Sequence, residues 1–147
     1  MNWKLRPASE DDRHFLYRLH VTTMRDVIES TWGWDEEWQR ADFEKRFTKS
    51  PYFVVEAREH AVGTVCVERR PDCVYILGLQ LLPAYQGLGI GTDVVRSIIR
   101  DAAAEHLPVV LSVVPANTRA RGFYERLGFE VTDVDPPFIR MSHSEEI

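Results

Sequence analysis

The sequence predicts a single α/β domain built on a mixed, mostly antiparallel sheet flanked by helices. Three observations point there. The 147 residues, 44% hydrophobic and 28% charged, suit one globular domain with a core of useful size. Short β-rich runs alternate with stretches whose apolar residues recur at helical spacing. The order of those segments, β-α-α-β-β-β-α-β-α-β-β, joins a strand meander to helix-linked strands.

A first strand is expected over residues 3–5. Ser9 followed by Glu10, Asp11 and Asp12 has the form of a helix start, with Asp in place of the Glu of a capping box. Phe15, Leu16 and Leu19 then share one helix face. Residues 24–29 either extend that helix or begin another. Gly33 breaks the pattern, so residues 31–34 read as a bend. Asp35 can cap a further helix to about residue 47, with Phe43 and Phe47 four apart. After Pro51, strand-like runs at residues 52–57, 62–68 and 74–82 are separated by turn residues. The third is the most apolar and is expected to be central. Pro83 and a cluster of glycines end it. Val94, Val95, Ile98, Ile99 and Ala102 form the buried stripe of a helix over residues 91–105. A strand at 109–114, a helix at 118–127 stopped by Gly128, and strands at 129–134 and 138–141 complete a domain over residues 1–147, of which about 142–147 form a polar tail.

The formal net charge of -5 gives no electrostatic reason to expect a nucleic-acid partner. No apolar run approaches the roughly 20 residues of a membrane span. The polar first residues read as a strand rather than as the apolar block of a secretory signal. Cys66 and Cys73 lie in apolar, strand-like segments. Two cysteines make neither a disulfide framework nor a zinc site, so no metal is expected, and they read as reduced thiols of a cytoplasmic protein.

Gly87, Gly89 and Gly91 lie between a strand and a helix start. Glycine permits positive φ and close approach of the backbone to a ligand. The N–H groups at a helix start suit an anion such as pyrophosphate. The same pattern also serves a tight turn with no ligand. Two phosphate motifs are excluded by inspection. There is no Gly-Lys pair for a P-loop, and the spacing 87, 89, 91 fails the Gly-x-Gly-x-x-Gly of a dinucleotide fold. The turn also follows a meander rather than opening a βαβ unit.

The segment Gln86-Gly87-Leu88-Gly89-Ile90-Gly91 resembles the Gln/Arg-x-x-Gly-x-Gly/Ala motif of the GCN5-related N-acetyltransferase (GNAT) family. A second signature of that family is matched by Asn117, Ala120, Phe123, Tyr124, Glu125, Gly128 and Phe129. The resemblance is clearest from residue 62 to residue 129. It implies an acetyl-CoA co-substrate and a splayed central strand pair that forms the cofactor slot. The backbone N–H groups of Gln86, Gly87, Leu88, Gly89, Ile90 and Gly91 would bind the pyrophosphate. The backbone of Leu79, Gln80 and Leu81 would line the peptide-like pantetheine arm. Asn117 would hydrogen-bond the cofactor, and Tyr124 would protonate the leaving thiolate. Asn117 is equally suited to cap the following helix, and Tyr124 to fill a core.

The reaction so implied is direct attack of an amine on the thioester. A lysine-like amine, of pKa about 10.4, must first lose a proton, and a backbone N–H near Leu81 is a candidate donor to the oxyanion. Some relatives place a Glu base five residues before the Asn. This chain has Ser112 there, and Gln80 where others carry an acid. Glu68, Glu29, Asp35 and Glu36 remain as candidates, as does water relayed to several groups. Three tryptophans and four carboxylates fall within residues 29–38. Of these, Glu29, Trp32, Trp34 and Asp35 are candidates to hold a cationic acceptor, or the tryptophans pack a helix bend while the acids face water. The expected acceptor is a small-molecule or peptide amine, and the expected state a monomer or homodimer. The alternatives are a non-catalytic CoA-binding domain and transfer of a longer acyl group.

Overall fold

The computed structural model describes residues 2–144. Among them run seven strands, β1 (Trp3–Pro7), β2 (Tyr52–Ala57), β3 (His60–Arg69), β4 (Val74–Leu81), β5 (Val109–Val113), β6 (Glu130–Asp135) and β7 (Phe138–His143). The four α-helices are α1 (Arg13–Trp32), α2 (Glu36–Lys49), α3 (Ile90–Ala104) and α4 (Thr118–Arg126). The strands form a sheet in the order β1-β2-β3-β4-β5-β7-β6. Pairing is antiparallel for β1–β2, β2–β3, β5–β7 and β6–β7, and parallel for β4–β5. This is the mixed, mostly antiparallel α/β architecture the sequence predicts. The chain's contacts divide into two units, Met1–Val67 with Gly78–Ile90, and Glu68–Leu77 with Gly91–Ile147.

In the first unit, β1 pairs with β2 from Trp3 opposite Ala57 to Pro7 opposite Phe53. The Ser9 capping box forms, with the Ser9 N–H donating to Asp12 Oδ2 at 2.8 Å. Asp12 also accepts a two-pronged bond from the Arg6 guanidinium at 2.8 and 2.9 Å. Residues 24–29 extend the first helix, because α1 runs unbroken to Trp32. It ends at Gly33, whose φ of 83° suits glycine and whose N–H returns to the Glu29 carbonyl. Asp35 caps α2 by accepting from the Trp38 N–H at 3.1 Å. Leu16, Tyr17 and Phe43 centre the core there, with Phe15, Phe47 and Tyr52 packed on it. Burying such side chains contributes about 1.5–3 kcal/mol each.

In the second unit, the expected stripe Val94, Val95, Ile98, Ile99 and Ala102 of α3 is buried. Val109, Leu111 and Val113 of β5, and Ile139 and Met141 of β7, are buried in alternation. β6 is exposed along its whole length. β4 pairs with β5 through Val74–Ile76 opposite Val109–Leu111, and each strand runs beyond those rungs. The final strand is longer than expected. Ser142 and His143, assigned from sequence to a polar tail, pair with Val110 and Val109, because β5 still offers ladder partners there. The rest of that tail, residues 145–147, lies outside the described residues.

Candidate functional site

The glycine loop begins where β4 ends. Gly63 on β3 lets that end approach: a Cβ on it would stand 2.4 Å from the Gln80 carbonyl oxygen and 2.5 Å from Leu81 Cδ2. The Leu82 N–H donates to the Val62 carbonyl at 2.8 Å. A 3-10 turn over Pro83–Tyr85 follows, with proline at its first position where no donor is needed. The Gln86 side chain reaches back and donates from Nε2 to the Leu81 carbonyl at 2.9 Å. Gly87 and Gly89 then take φ values of 75° and 89°. No neighbouring atom lies within 4 Å of a Cβ at either position, so backbone conformation rather than space requires glycine. Gly91 lies in the first turn of α3 and is not among the positive-φ glycines.

Among the described residues, the N–H groups of Gly87, Leu88 and Gly89 have no hydrogen-bond partner. The first turn of α3 follows directly, adding its unsatisfied N–H groups and positive dipole end. The Ile90 side chain is 1% exposed and anchors the loop, whereas Leu88 is 50% exposed. Such a run of open donors is chemically suited to a multiply charged anion. Leu79, Gln80 and Leu81 are half-buried and are the last three residues of β4 before this loop.

Asn117 and Tyr124 belong to the second unit. Asn117 does cap α4, accepting from the Ala120 N–H at 3.2 Å through Oδ1. Tyr124 is fixed where α4 stops. The Gly128 N–H bonds to the Glu125 carbonyl and the Phe129 N–H to the Tyr124 carbonyl, both at 3.0 Å, the paired bonds of a Schellman ending. Gly128 takes the φ of 96° that this requires. The Tyr124 ring packs edge-on between Phe123 and Phe129, at 5.0 and 5.3 Å, and is 6% exposed. Burial pushes its phenol pKa above the ordinary tyrosine value. Its hydroxyl has no hydrogen-bond partner among the described residues.

Ser112 is hydrogen-bonded to the Tyr75 hydroxyl at 2.6 Å. Arg70 lies 4.3 Å from the Tyr75 ring centre and pairs with Glu68 at 2.7 Å. Sequence reasoning missed Tyr75, because its partner depends on the β4–β5 register.

The segment around Trp34 differs from an open aromatic-and-acid cage. Arg25 stands 5.2 Å from the Trp34 ring centre and 3.5 Å from Glu29. Thus Glu29 and Trp34 are brought together, on a cation the chain supplies itself. Asp35 is the α2 cap. Glu36 accepts from Trp34 Nε1 at 2.8 Å, from the Tyr17 hydroxyl at 2.9 Å and from Arg40 Nε at 3.1 Å. Those donors, Trp34 first, lower its pKa. Trp32 and Trp38 remain 54% and 59% exposed. His20 also escaped sequence reasoning: its Nε2 meets Gln39 Oε1 at 2.8 Å, and burial lowers its pKa.

The β4–α3 turn thus combines two positive-φ glycines with a run of open N–H groups. The sequence matches the family model of the acetyltransferase (GNAT) family over residues 13–129, and the chain belongs to that family. It is 31% identical over 113 residues to the tRNA(Met) cytidine acetyltransferase of Nitrosococcus halophilus, covering 77% of this chain and 15% of that protein. It is 36% identical over 94 residues to the mycothiol acetyltransferase of Streptomyces griseus, covering 60% of this chain and 30% of that one. The chain therefore corresponds to a minor part of these two relatives. Its fold is similar to that of the PaiA N-acetyltransferase of Thermoplasma acidophilum, solved with coenzyme A, at a TM-score of 0.80, 17% identity, and 99% and 100% coverage. The first relative's name includes a tRNA, so the charge-based expectation of no nucleic-acid partner has no support from the relatives. Among the described residues, no helix is long and apolar enough to cross a membrane.

Proposed function

We propose that the chain is an acetyl-CoA-dependent N-acetyltransferase acting on a primary amine of a small molecule or peptide. The observation that carries this reading is the run of partnerless N–H groups at Gly87, Leu88 and Gly89, on the segment that fits the family motif. These groups, with the N–H groups of Gln86, Ile90 and Gly91, bind the donor's pyrophosphate. The backbone of Leu79, Gln80 and Leu81 receives the pantetheine arm, and Asn117 adds a polar contact to it. The family fold, and the coenzyme A complex of the PaiA relative, support the same donor.

Acetyl-CoA supplies the thioester. The amine nitrogen bonds to its carbonyl carbon, the carbon–sulfur bond breaks, and Tyr124 gives the leaving sulfur a proton. The Tyr124 phenol carries its proton at neutral pH as any tyrosine of pKa about 10 does, and burial raises that pKa further. The four carboxylate candidates for base are already engaged: Glu68 with Arg70, Glu29 with Arg25, Asp35 in the cap, and Glu36 with three donors. That supports removal of the amine proton through water rather than directly by one of them. No acyl-enzyme is required. On the acceptor side, exposed Trp32, with Glu29, Trp34 and Asp35 of the same segment, is the candidate surface for a cationic amine. A cytoplasmic compartment fits the two buried thiols, Cys66 and Cys73.

The experiment is thiol release from acetyl-CoA with a panel of small amines, peptide amines and tRNA, alongside calorimetric titration with acetyl-CoA. Turnover on one class identifies the acceptor. Binding without turnover on any supports a non-catalytic coenzyme A domain instead, and no binding at millimolar donor removes both readings.

A further inference from the structure

The peptide group joining Leu81 to Leu82 is held at both ends. Its carbonyl accepts from Gln86 Nε2 at 2.9 Å, and its N–H donates to the Val62 carbonyl at 2.8 Å. The next carbonyl, that of Leu82, accepts from the Tyr85 N–H at 2.8 Å, and the Gln86 N–H donates to the Pro83 carbonyl at 3.2 Å. These bonds end immediately before the three residues whose N–H groups have no partner. Gly63 supports the arrangement from β3, since any side chain there would collide with Gln80 and Leu81.

The bond from Gln86 is the only one of these made by a side chain, and it spans five residues. It ties the start of the loop to the strand end, and so sets the direction in which the chain leaves β4. Beyond it come two glycines at positive φ, the residues with most backbone freedom to lose on ordering. A loop ordered before binding holds its ligand more tightly than one ordered on binding.

We infer that Gln86 is a positioning residue for the phosphate end of the donor: its side-chain amide, by holding the Leu81 carbonyl, aims the N–H groups of Gly87, Leu88 and Gly89. The inference rests on the acetyl-CoA reading above and adds to it. The Gln86 side chain acts through the loop, so its removal weakens recognition of the pyrophosphate selectively and leaves the thioester end to other residues.

The test compares wild type with Gln86→Met, of similar length but without a donor, and Gln86→Ala. Two donors are used, acetyl-CoA and acetyl-pantetheine, which carries the same thioester and no pyrophosphate. Initial rates with an amine that wild type acetylates give kcat and KM for each donor, and thermal melts check folding. The expected result is a roughly tenfold fall in the preference for acetyl-CoA over acetyl-pantetheine, the scale of one lost hydrogen bond plus a loosened loop. It should appear in KM for acetyl-CoA rather than in kcat. Equal losses on both donors, an unchanged preference, or loss of folding in both variants overturns the positioning role. A wild-type protein that neither binds acetyl-CoA nor prefers it to acetyl-pantetheine strikes the donor reading itself, before any variant is compared.

Discussion

Phe129 holds Tyr124 twice: its N–H donates to the Tyr124 carbonyl at 3.0 Å, and the two rings meet edge-on at 5.3 Å. The phenol is thereby immobilised while its hydroxyl has no partner among the described residues. Tyr124→Phe should therefore lower kcat by about 100-fold, within the range of general-acid contributions. It should leave unfolding free energy within about 1 kcal/mol of wild type, because no internal hydrogen bond is lost. Rates read by thiol release, with a denaturant melt beside them, check both halves. A variant with unimpaired kcat removes Tyr124 from the chemistry.

The same ending depends on Gly128. Its φ is 96°, and a Cβ there would stand 3.1 Å from the His143 ring. Gly128→Ala should cost roughly 1–3 kcal/mol through backbone strain and displacement of that ring, measured as a shift in the urea midpoint. A midpoint unchanged from wild type would show that α4 ends in some other way.

Gly63→Ala should be more damaging to donor binding than to the rest of the molecule. The added methyl meets the Gln80 carbonyl and Leu81 at the strand end, and overpacking of this kind costs about 1–3 kcal/mol. The expected outcome is lower stability together with weaker acetyl-CoA binding by calorimetry, since the displaced strand end carries the loop. Wild-type affinity in this variant argues against the strand end as the loop's support.

Asp12 makes stability pH-dependent. The Arg6 guanidinium, and then the Ser9 N–H, hold its pKa down at about 2. A depressed carboxylate contributes stability that is present above its unfolded pKa and lost as pH falls through the folded one. Between about pH 4 and pH 2 the protein should lose about 1–2 kcal/mol through this group. Asp12→Asn should remove most of that acid-range slope and lower stability at neutral pH. A slope identical to wild type in pH-dependent melts refutes the assignment.

Trp32 and Asp35 should separate when replaced. Trp32→Ala should raise acceptor KM about 3- to 10-fold, the scale of an exposed to partly desolvated cation–π contact. Asp35→Ala should instead cost about 1 kcal/mol of stability, the usual loss with an N-cap. Unchanged acceptor KM in a folded Trp32→Ala protein takes Trp32 out of the acceptor site.

What the sequence determined by itself was governed by local chain demands. Glycines at 87 and 89 are required by positive φ, Gly128 by a helix ending, Asn117 and Asp35 by N-caps, and the stripe from Val94 to Ala102 by helical period. These needs are written in short spacings, and the strands, helices, glycine loop and family followed from them. The tertiary structure decided which distant groups meet. Tyr75 reaches Ser112 only through the parallel register of β4 with β5, and Arg25 reaches Trp34 only because α1 continues to Trp32 before the chain turns back. The glycine loop shows both. Its glycines were legible in order, but the bond from Gln86 to Leu81 was not, because a long flexible side chain can reach many acceptors, and only the folded strand end selects one.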